Sequence, residues 1–429
     1  MSFKAGFAEI DISPDYFPVR TYMGEVTEIV DPIYAHAAVF SDGKESLAFL
    51  SLDIVIIERA YVEKIRAGVE KRTGLPGSCL MLCATHNHAC PAVVERGSFK
   101  KEERYIEYMI EKSVTTVATA FEKMEDAQIG TGSGFEGRIS FNRRFIKRDG
   151  TAISQPAISN LSSDILCNEG TIDPEVGVIC VKNIAGEVLG IMVNFACHAC
   201  HLMGQVSAGY PGILYRRLKE NFGEGSACLF LNGACGNIIH RNFADPTQKD
   251  TKENTGNILA ETVSSVIREK IKSFTSPVLK SAETEIPLKY RDISSLEDCV
   301  ENPEKFVNVF NFLIKNGWYA DSLQKLKELK AKSDSEKIII QVFRIGDAAF
   351  AAIPAEYFTE LGMAIKQQSP AKLTCVVTLA NGWLGYIPTE EALKRQGGHE
   401  TTTAHWSKMD ASTGNTIAAE ALKMTNMLW

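Results

Sequence analysis

Cys83-Ala84-Thr85-His86-Asn87-His88-Ala89-Cys90-Pro91 follows the apolar run Cys79-Leu80-Met81-Leu82, and the reading of this stretch decides the rest. The run has the length and composition of a short buried strand. On an extended backbone, residues two apart share a side, so His86 and His88 are expected to aim into one cavity. A His-x-His at a strand end can also be two polar caps. Which of the two it is depends on partners elsewhere in the chain.

Upstream, Leu47-Ala48-Phe49-Leu50-Ser51-Leu52-Asp53-Ile54-Val55-Ile56-Ile57 is nearly continuous in apolar residues, as a strand covered on both faces should be. The turn Ser41-Asp42-Gly43-Lys44 joins it to a strand over residues 31–40. Phe7 to Pro14 alternates like an earlier strand closed by a Ser-Pro turn. Downstream, an amphipathic helix from Arg59 to Arg72 carries Tyr61, Ile65 and Val69 on one stripe and ends at Gly74-Leu75-Pro76-Gly77. Strand, helix, strand implies a parallel pair with a right-handed crossover. Ligands of such sheets sit beyond the carboxyl ends of the strands, where His86 and His88 fall.

The same grammar recurs twice. Val188 to Cys197 reads as a strand ending at His198, followed by a helix from Pro211 to Asn221 with Pro in its first turn. Ala227 to Leu231 is then a strand ending in Asn232-Gly233-Ala234-Cys235-Gly236-Asn237. The third unit starts with a hairpin over Lys337–Ala352 and breaks at Ile353-Pro354-Ala355. It enters a helix carrying Glu356 in its first turn, and the strand Leu373–Ala380 follows, ending at Asn381-Gly382-Trp383-Leu384-Gly385-Tyr386. From Pro303 to Ser335 a charged segment places Phe306, Val309, Phe310 and Leu313 at helix spacing, as a packed surface helix pair or, alternatively, a cover over the site. No Gly/Ser- or Pro-rich linker divides residues 1–429, so one domain is expected.

Bulk properties narrow the function classes. The 429 residues are 45% hydrophobic and 23% charged, with a formal net charge of −7, which leaves no electrostatic footprint for nucleic acid or anionic membrane. No run approaches a membrane span. The start lacks the apolar core of a signal peptide, so a cytoplasmic protein is expected. The eleven cysteines, mostly in strand-like runs, suit buried free thiols in a reducing compartment better than a disulfide framework.

Of eight histidines, four (His86, His88, His198 and His201) cluster at two expected strand ends. A hydrolytic zinc site needs about three protein ligands and one open position, and this clustering favours a metal over two capped strands.

Six motifs carry a resemblance, in order. They are Ala5-Gly6-Phe7-Ala8-Glu9-Ile10-Asp11-Ile12-Ser13-Pro14, His86-Asn87-His88, Asn194-Phe195-Ala196-Cys197-His198, Phe230-Leu231-Asn232-Gly233-Ala234-Cys235-Gly236-Asn237, Pro354-Ala355-Glu356-Tyr357 and Gly385-Tyr386-Ile387-Pro388-Thr389. Together they resemble the catalytic domain of the neutral/alkaline non-lysosomal ceramidases across nearly the whole chain. The resemblance implies an α/β fold with mixed parallel and antiparallel sheets flanked by helices. It also implies a zinc-dependent hydrolase of a carbon–nitrogen amide bond. One Zn2+ would be held by His86, His198, Glu356 and Tyr386, with His88 as proton shuttle and Arg143 stabilising the substrate carbonyl. Two imidazoles, a carboxylate and a phenol suit a borderline cation, though manganese and iron tolerate the same ligands. Read without the resemblance, Arg143 would be a surface arginine in the basic loop with Arg144, Lys147 and Arg148.

Departures from the family pattern bear on the substrate. Ile239 stands where the family carries a serine, Gly209 replaces the acidic residue before Tyr210-Pro211-Gly212, and His399 or a neighbour matches a later family tyrosine. The family's C-terminal immunoglobulin-like domain has no counterpart, and no lipid-facing apparatus is evident. A small, polar amide is therefore expected in place of ceramide, with His201, Asn237, His240, Arg241 and His399 as candidate substrate-binding residues. The alternative is a degenerate relative that binds a small molecule or metal without turnover.

Cys197-His198-Ala199-Cys200-His201 also fits the c-type haem attachment pattern. Haem attachment requires export, which nothing in the sequence signals. Cys197 or Cys200 could join a closed structural zinc site. Cys235 could pair with His240 as a nucleophile, although its apolar turn fits an inert buried thiol better.

Overall fold

A computed structural model describes residues 2–95, 99–156, 163–245, 247–292 and 317–429. Eight strands form the larger sheet: β1 (Lys4–Asp11), β2 (Tyr34–Ser41), β3 (Ser46–Leu52), β4 (Leu80–Ala84), β5 (Glu125–Phe135), β6 (Glu175–Asn183), β7 (Val188–Phe195) and β8 (Ala227–Asn232). Their spatial order is β8-β7-β6-β5-β1-β2-β3-β4. The second sheet holds β9 (Leu279–Lys289), β10 (Ser335–Ile345), β11 (Ala348–Ile353) and β12 (Leu373–Thr378) in sequential order. The sheets are mixed and flanked by helices, as expected.

All three strand–helix–strand units are parallel pairs. Pairing β3 with β4, β7 with β8 and β11 with β12 is parallel, whereas the other neighbours in both sheets run antiparallel. The crossover helices are Arg59–Thr73, Gly209–Phe222 and Thr359–Gln368. The first shows how sequence sets the element. Tyr61, Val62, Ile65 and Val69 bury one stripe, and Gly74, at φ 74°, stops the helix in the left-handed conformation a glycine adopts without Cβ strain. The turn at Ser41–Lys44 is held by Asp42, whose Oδ1 accepts the amides of Lys44 and Glu45.

The two sheets share a core. Phe49 of β3 meets Phe343 of β10 and Phe350 of β11 edge-on, with ring centroids 5.4 Å and 4.9 Å apart. Such pairs add roughly 0.5–1.5 kcal/mol each beyond the area they bury. Buried amides tie the strand ends together. Asn194 Nδ2 donates to Leu231 O of its own sheet at 2.8 Å and to Val376 O of the other at 2.9 Å. Asn232 Nδ2 donates to Thr85 O at 3.0 Å. With both Asn194 donors satisfied and Asn232 bonded to Thr85, these side chains fix how the carboxyl ends of the parallel pairs face one another.

Glu356 departs from the expected helix position. It lies in the two-residue strand Glu356–Tyr357, paired in parallel with Tyr386–Ile387, and the helix begins only at Thr359. Of the segment 303–335, the part holding Phe306, Val309, Phe310 and Leu313 lies outside the described residues. Trp318–Lys332 is a helix whose Trp318, Asp321, Ser322 and Lys325 line a small cavity with Trp383, His405 and Trp406. Among the described residues no helix is long and apolar enough to cross a membrane.

Candidate metal centre

His86 sits just past the end of β4, but not on extended backbone. Its φ of 64° is left-handed, so the strand alternation expected to align His86 with His88 does not operate. A turn brings the rings together, with Nε2 atoms 3.2 Å apart. Asn87 between them points away, its Nδ2 donating to Asp53 O, Ala89 O and Ser207 O. The His88 amide donates to Ala199 O, tying this turn to the loop after β7.

That loop delivers His198. Its ring centroid lies 4.4 Å from that of His86. Each ring is oriented from behind by a backbone carbonyl: His86 Nδ1 donates to Val55 O and His198 Nδ1 to Cys235 O, both at 2.8 Å. An imidazole that donates through Nδ1 presents a bare Nε2 lone pair when neutral. Both bare nitrogens face one carboxylate oxygen. Glu356 Oε2 lies 3.3 Å from His86 Nε2 and 3.6 Å from His198 Nε2. It is buried and makes no well-formed hydrogen bond, whereas Oε1 accepts the Trp383 indole N–H at 3.1 Å.

Of these three acceptors, which meet at one buried point, Glu356 Oε2 has no hydrogen-bond partner, and a cation there would satisfy it together with both imidazole lone pairs. The donor set of two imidazoles and a carboxylate fits a divalent ion such as zinc. Second partners on both histidines and on the carboxylate complete the pattern of a supported metal site. Burial pushes the Glu356 carboxyl up, yet His86 and His198 outweigh it and hold it well below the usual range. Burial, then Arg143 and His86, lowers His198 to about 3, which keeps that ring neutral and able to ligate.

Tyr386 stands beside Glu356 in strand register. Burial and the Glu356 charge raise its phenol well above 10. Its hydroxyl is 3.3 Å from Arg143 Nη2 and 3.2 Å from His399 Nε2. Arg143 is not the surface arginine that the basic loop alone suggests, being only 2% exposed. Its Nη2 donates to Gly236 O, its Nη1 lies 3.4 Å from His198 Nε2, and its Nε pairs with Glu400 at 2.7 Å. Burial drives His399 down to about 4, against the pull of Glu400.

The remaining candidates go elsewhere. Both ends of the Asn237 amide engage protein: Nδ2 donates to the Glu360 carboxylate and Oδ1 accepts the Thr359 amide. His201, His240 and Arg241 gather around Asp250, a residue that no sequence signal marked. By distance alone, two groups among the described residues could each hold an ion: His86 with His88 and His198, and His201 with His240 and Asp250. The second is ill-shaped for it. The His201 and His240 rings stack with centroids 3.5 Å apart and planes at 18°, so their in-plane lone pairs run side by side without converging.

The ten described cysteines are all free. Cys235 is fully buried, its thiol pushed up by burial, and the thiol that meets His240 is that of Cys200. Cys197 turns its sulfur toward Ile139 O. Sequence reading also missed Glu400 and Trp383 as supports. Arg143 and Arg144 are both buried and call for carboxylate partners, but in sequence alone the pair reads as part of a basic loop and carries no such signal.

Solved structures share this architecture. A neutral ceramidase from Pseudomonas aeruginosa superposes with a TM-score of 0.74 at 17% identity, covering 100% of this chain and 74% of that one. A ceramidase complexed with C2 gives 0.77 at 16% identity, covering 100% and 75%. The chain has the neutral ceramidase fold. At the level of sequence, no family model and no curated protein matches it. On this ceramidase-like fold, the histidine cluster at the carboxyl ends of the parallel strands is a group able to bind a metal ion.

Proposed function

We propose that the protein is a zinc-dependent hydrolase that cleaves the amide bond of a small, polar substrate. The observation that carries this reading is the convergence of His86 Nε2, His198 Nε2 and the unsatisfied Glu356 Oε2 on one buried point. Tyr386, beside Glu356, completes the ligand set. A divalent ion held there supplies Lewis acidity and makes water a stronger nucleophile near neutral pH. His88, 3.2 Å from His86, carries protons between the attacking water and the leaving amine. Arg143 directs its guanidinium at the substrate carbonyl, where negative charge grows during attack. Glu400 and Gly236 O hold that guanidinium in place. His399 meets the substrate beside the Tyr386 hydroxyl.

Ile239 favours a second reading, metal binding without turnover. It packs with Phe145 and Phe243 where the family carries a serine, so no hydroxyl is offered there. Metal analysis of the purified protein, then a screen of N-acyl amines and N-acetylated sugars with and without chelator, separates the two. The hydrolase reading expects near-stoichiometric zinc and chelator-sensitive turnover, and His86→Ala should lose both. Full activity in that variant would remove the reading, and zinc without turnover of any amide would support the binder.

A further inference from the structure

A cavity of about 490 Å3 lies between the crossover helix Gly209–Phe222 and the chain that enters β2. Small-molecule sites typically measure roughly 300–1,000 Å3. Asp53 and Asn87 stand between this cavity and the turn that carries His86 and His88. Tyr215, on the cavity wall, donates to Asp53 Oδ1 at 3.1 Å, and Asn87 Nδ2 donates to Asp53 O at 3.1 Å. A ligand here would occupy a place of its own, apart from the proposed metal ligands.

The charged groups that line the cavity divide into those already paired and those still open. On the floor, the buried His36 ring and Lys219 Nζ both pair with Glu9. Asp31 is taken by Lys252 and Ser207, and Glu220 by Arg217. Two charged lining residues are left. Among the described residues, the side chains of Arg216 and Glu224 enter no hydrogen bond or ion pair, and the Arg216 charge reaches Asp31 only through space. Their positions on the helix differ. Arg216 lies within it, whereas Glu224 stands just past its end, after Gly223. The C-terminal end of a helix carries negative partial charge and favours cations, so a carboxylate added there deepens a place for an ammonium.

A ligand that answers both residues carries two charges. A planar guanidinium matches a carboxylate through two parallel N–H···O bonds. An ammonium offers three donors to Glu224 and to the helix carbonyls beside it. Pro32, Tyr34 and Ile213 add apolar surface that suits a side chain without charge. We infer that this cavity binds a zwitterionic amino compound, a free amino acid or a short peptide with an apolar side chain, its carboxylate on Arg216 and its ammonium on Glu224.

Calorimetry on the full-length protein tests this, with L-phenylalanine and glycyl-L-phenylalanine as probes. Phenethylamine, which lacks the carboxylate, and hydrocinnamate, which lacks the ammonium, are the comparisons. At least one zwitterion should bind one-to-one, and the tighter of the two tells amino acid from peptide. Each single-charge analogue should bind roughly tenfold more weakly or worse. Arg216 and Glu224 are exposed, so Arg216→Gln and Glu224→Gln leave the core intact. Each should weaken the zwitterion about tenfold. Arg216→Gln should leave phenethylamine unchanged, and Glu224→Gln should leave hydrocinnamate unchanged. Failure of both zwitterions to bind at millimolar concentration overturns the inference. So does an analogue that binds as tightly as the zwitterions, or zwitterion affinity unchanged in Arg216→Gln. Amino acids also chelate zinc, so the titrations are repeated in His86→Ala. Equal affinity there supports the cavity, whereas lost binding would place the ligand on the metal and overturn the inference. None of these readouts uses amide hydrolysis, so the inference stands or falls apart from the proposed activity.

Discussion

Arg143 Nε lies 2.7 Å from Glu400 Oε1, and both side chains are buried beside the proposed metal ligands. Glu400 also faces Arg144 Nη1 at 3.4 Å and accepts the Ser154 hydroxyl at 2.7 Å. One carboxylate therefore helps balance two guanidinium charges out of contact with water. Glu400→Gln keeps the shape and removes the charge. Leaving a buried charge unpaired typically costs about 3–5 kcal/mol, and the urea midpoint should fall accordingly. Bound zinc should stay near the unsubstituted level, because no ligand is removed, while amide turnover drops as Arg143 loses its anchor. An unchanged midpoint would show that Glu169, which also pairs with Arg144, suffices alone.

Gly236 touches the backbone of Glu356, a proposed metal ligand. A Cβ there would stand 2.4 Å from Glu356 O and 3.0 Å from both Glu356 C and Phe358 Cδ1. The obstacle at 2.4 Å is main chain, which cannot swing aside as a flexible side-chain tip can. Gly236→Ala should therefore push the Glu356–Tyr357 strand outward, costing roughly 1–3 kcal/mol of stability and weakening zinc retention during dialysis. Retention equal to the unsubstituted protein would mean that the strand absorbs the methyl without moving its carboxylate.

The parallel units were legible in the sequence because each pairs a continuous apolar run with a 3.6-residue stripe, as in Leu47–Ile57 followed by Tyr61, Ile65 and Val69. The identity of the strand-end residues was legible for the same reason. Their geometry was not. His86 and His88 meet through a left-handed residue, a conformation with no side-chain pattern to announce it. Glu356 was expected on a helix because a two-residue strand is too short to show periodicity. Asp250 sits in a polar loop, and Glu400 is 256 residues on from Arg144, so only the folded chain reveals what they neutralise.

His36 predicts a stability profile unrelated to the metal. It is fully buried, with Nδ1 3.2 Å from Glu9 Oε1 and Nε2 3.4 Å from Asp53 Oδ2. Burial lowers its pKa, but Asp53 and Glu9 outweigh that and raise it from 6.5 to about 9. Burial raises Glu9, but His36 and Lys219 outweigh that and lower it from 4.5 to about 2. The raised histidine contributes stability that is complete below 6.5 and lost as pH climbs through about 9. The lowered carboxyl contributes stability that is present above 4.5 and lost as pH falls through about 2. Urea midpoints should therefore be highest between these limits, with an alkaline decline of roughly 3 kcal/mol. His36→Gln should flatten the alkaline limb. A midpoint in the unsubstituted protein that holds level from pH 6.5 to 9 would show that His36 is neutral when folded.

Trp383 supports the carboxylate of Glu356, a proposed metal ligand, from behind. Its indole N–H donates to Glu356 Oε1 at 3.1 Å, which turns Oε2 toward His86 and His198. Trp383→Phe keeps an aromatic ring in the cavity lined by Trp318 and His405 but deletes the donor. Outer-shell partners of this kind typically contribute about 10–100-fold in metal affinity. Competition with a zinc chelator should show a loss in that range. The metal-free protein should change by no more than about 1.5 kcal/mol in urea, because one hydrogen bond is lost from a partly open site. The two measurements separate orientation from packing. A fall in zinc affinity without a matching fall in apo stability assigns the indole to holding Glu356, whereas equal zinc affinity in both proteins would mean that the strand pairing of Glu356 with Tyr386 already aims the carboxylate.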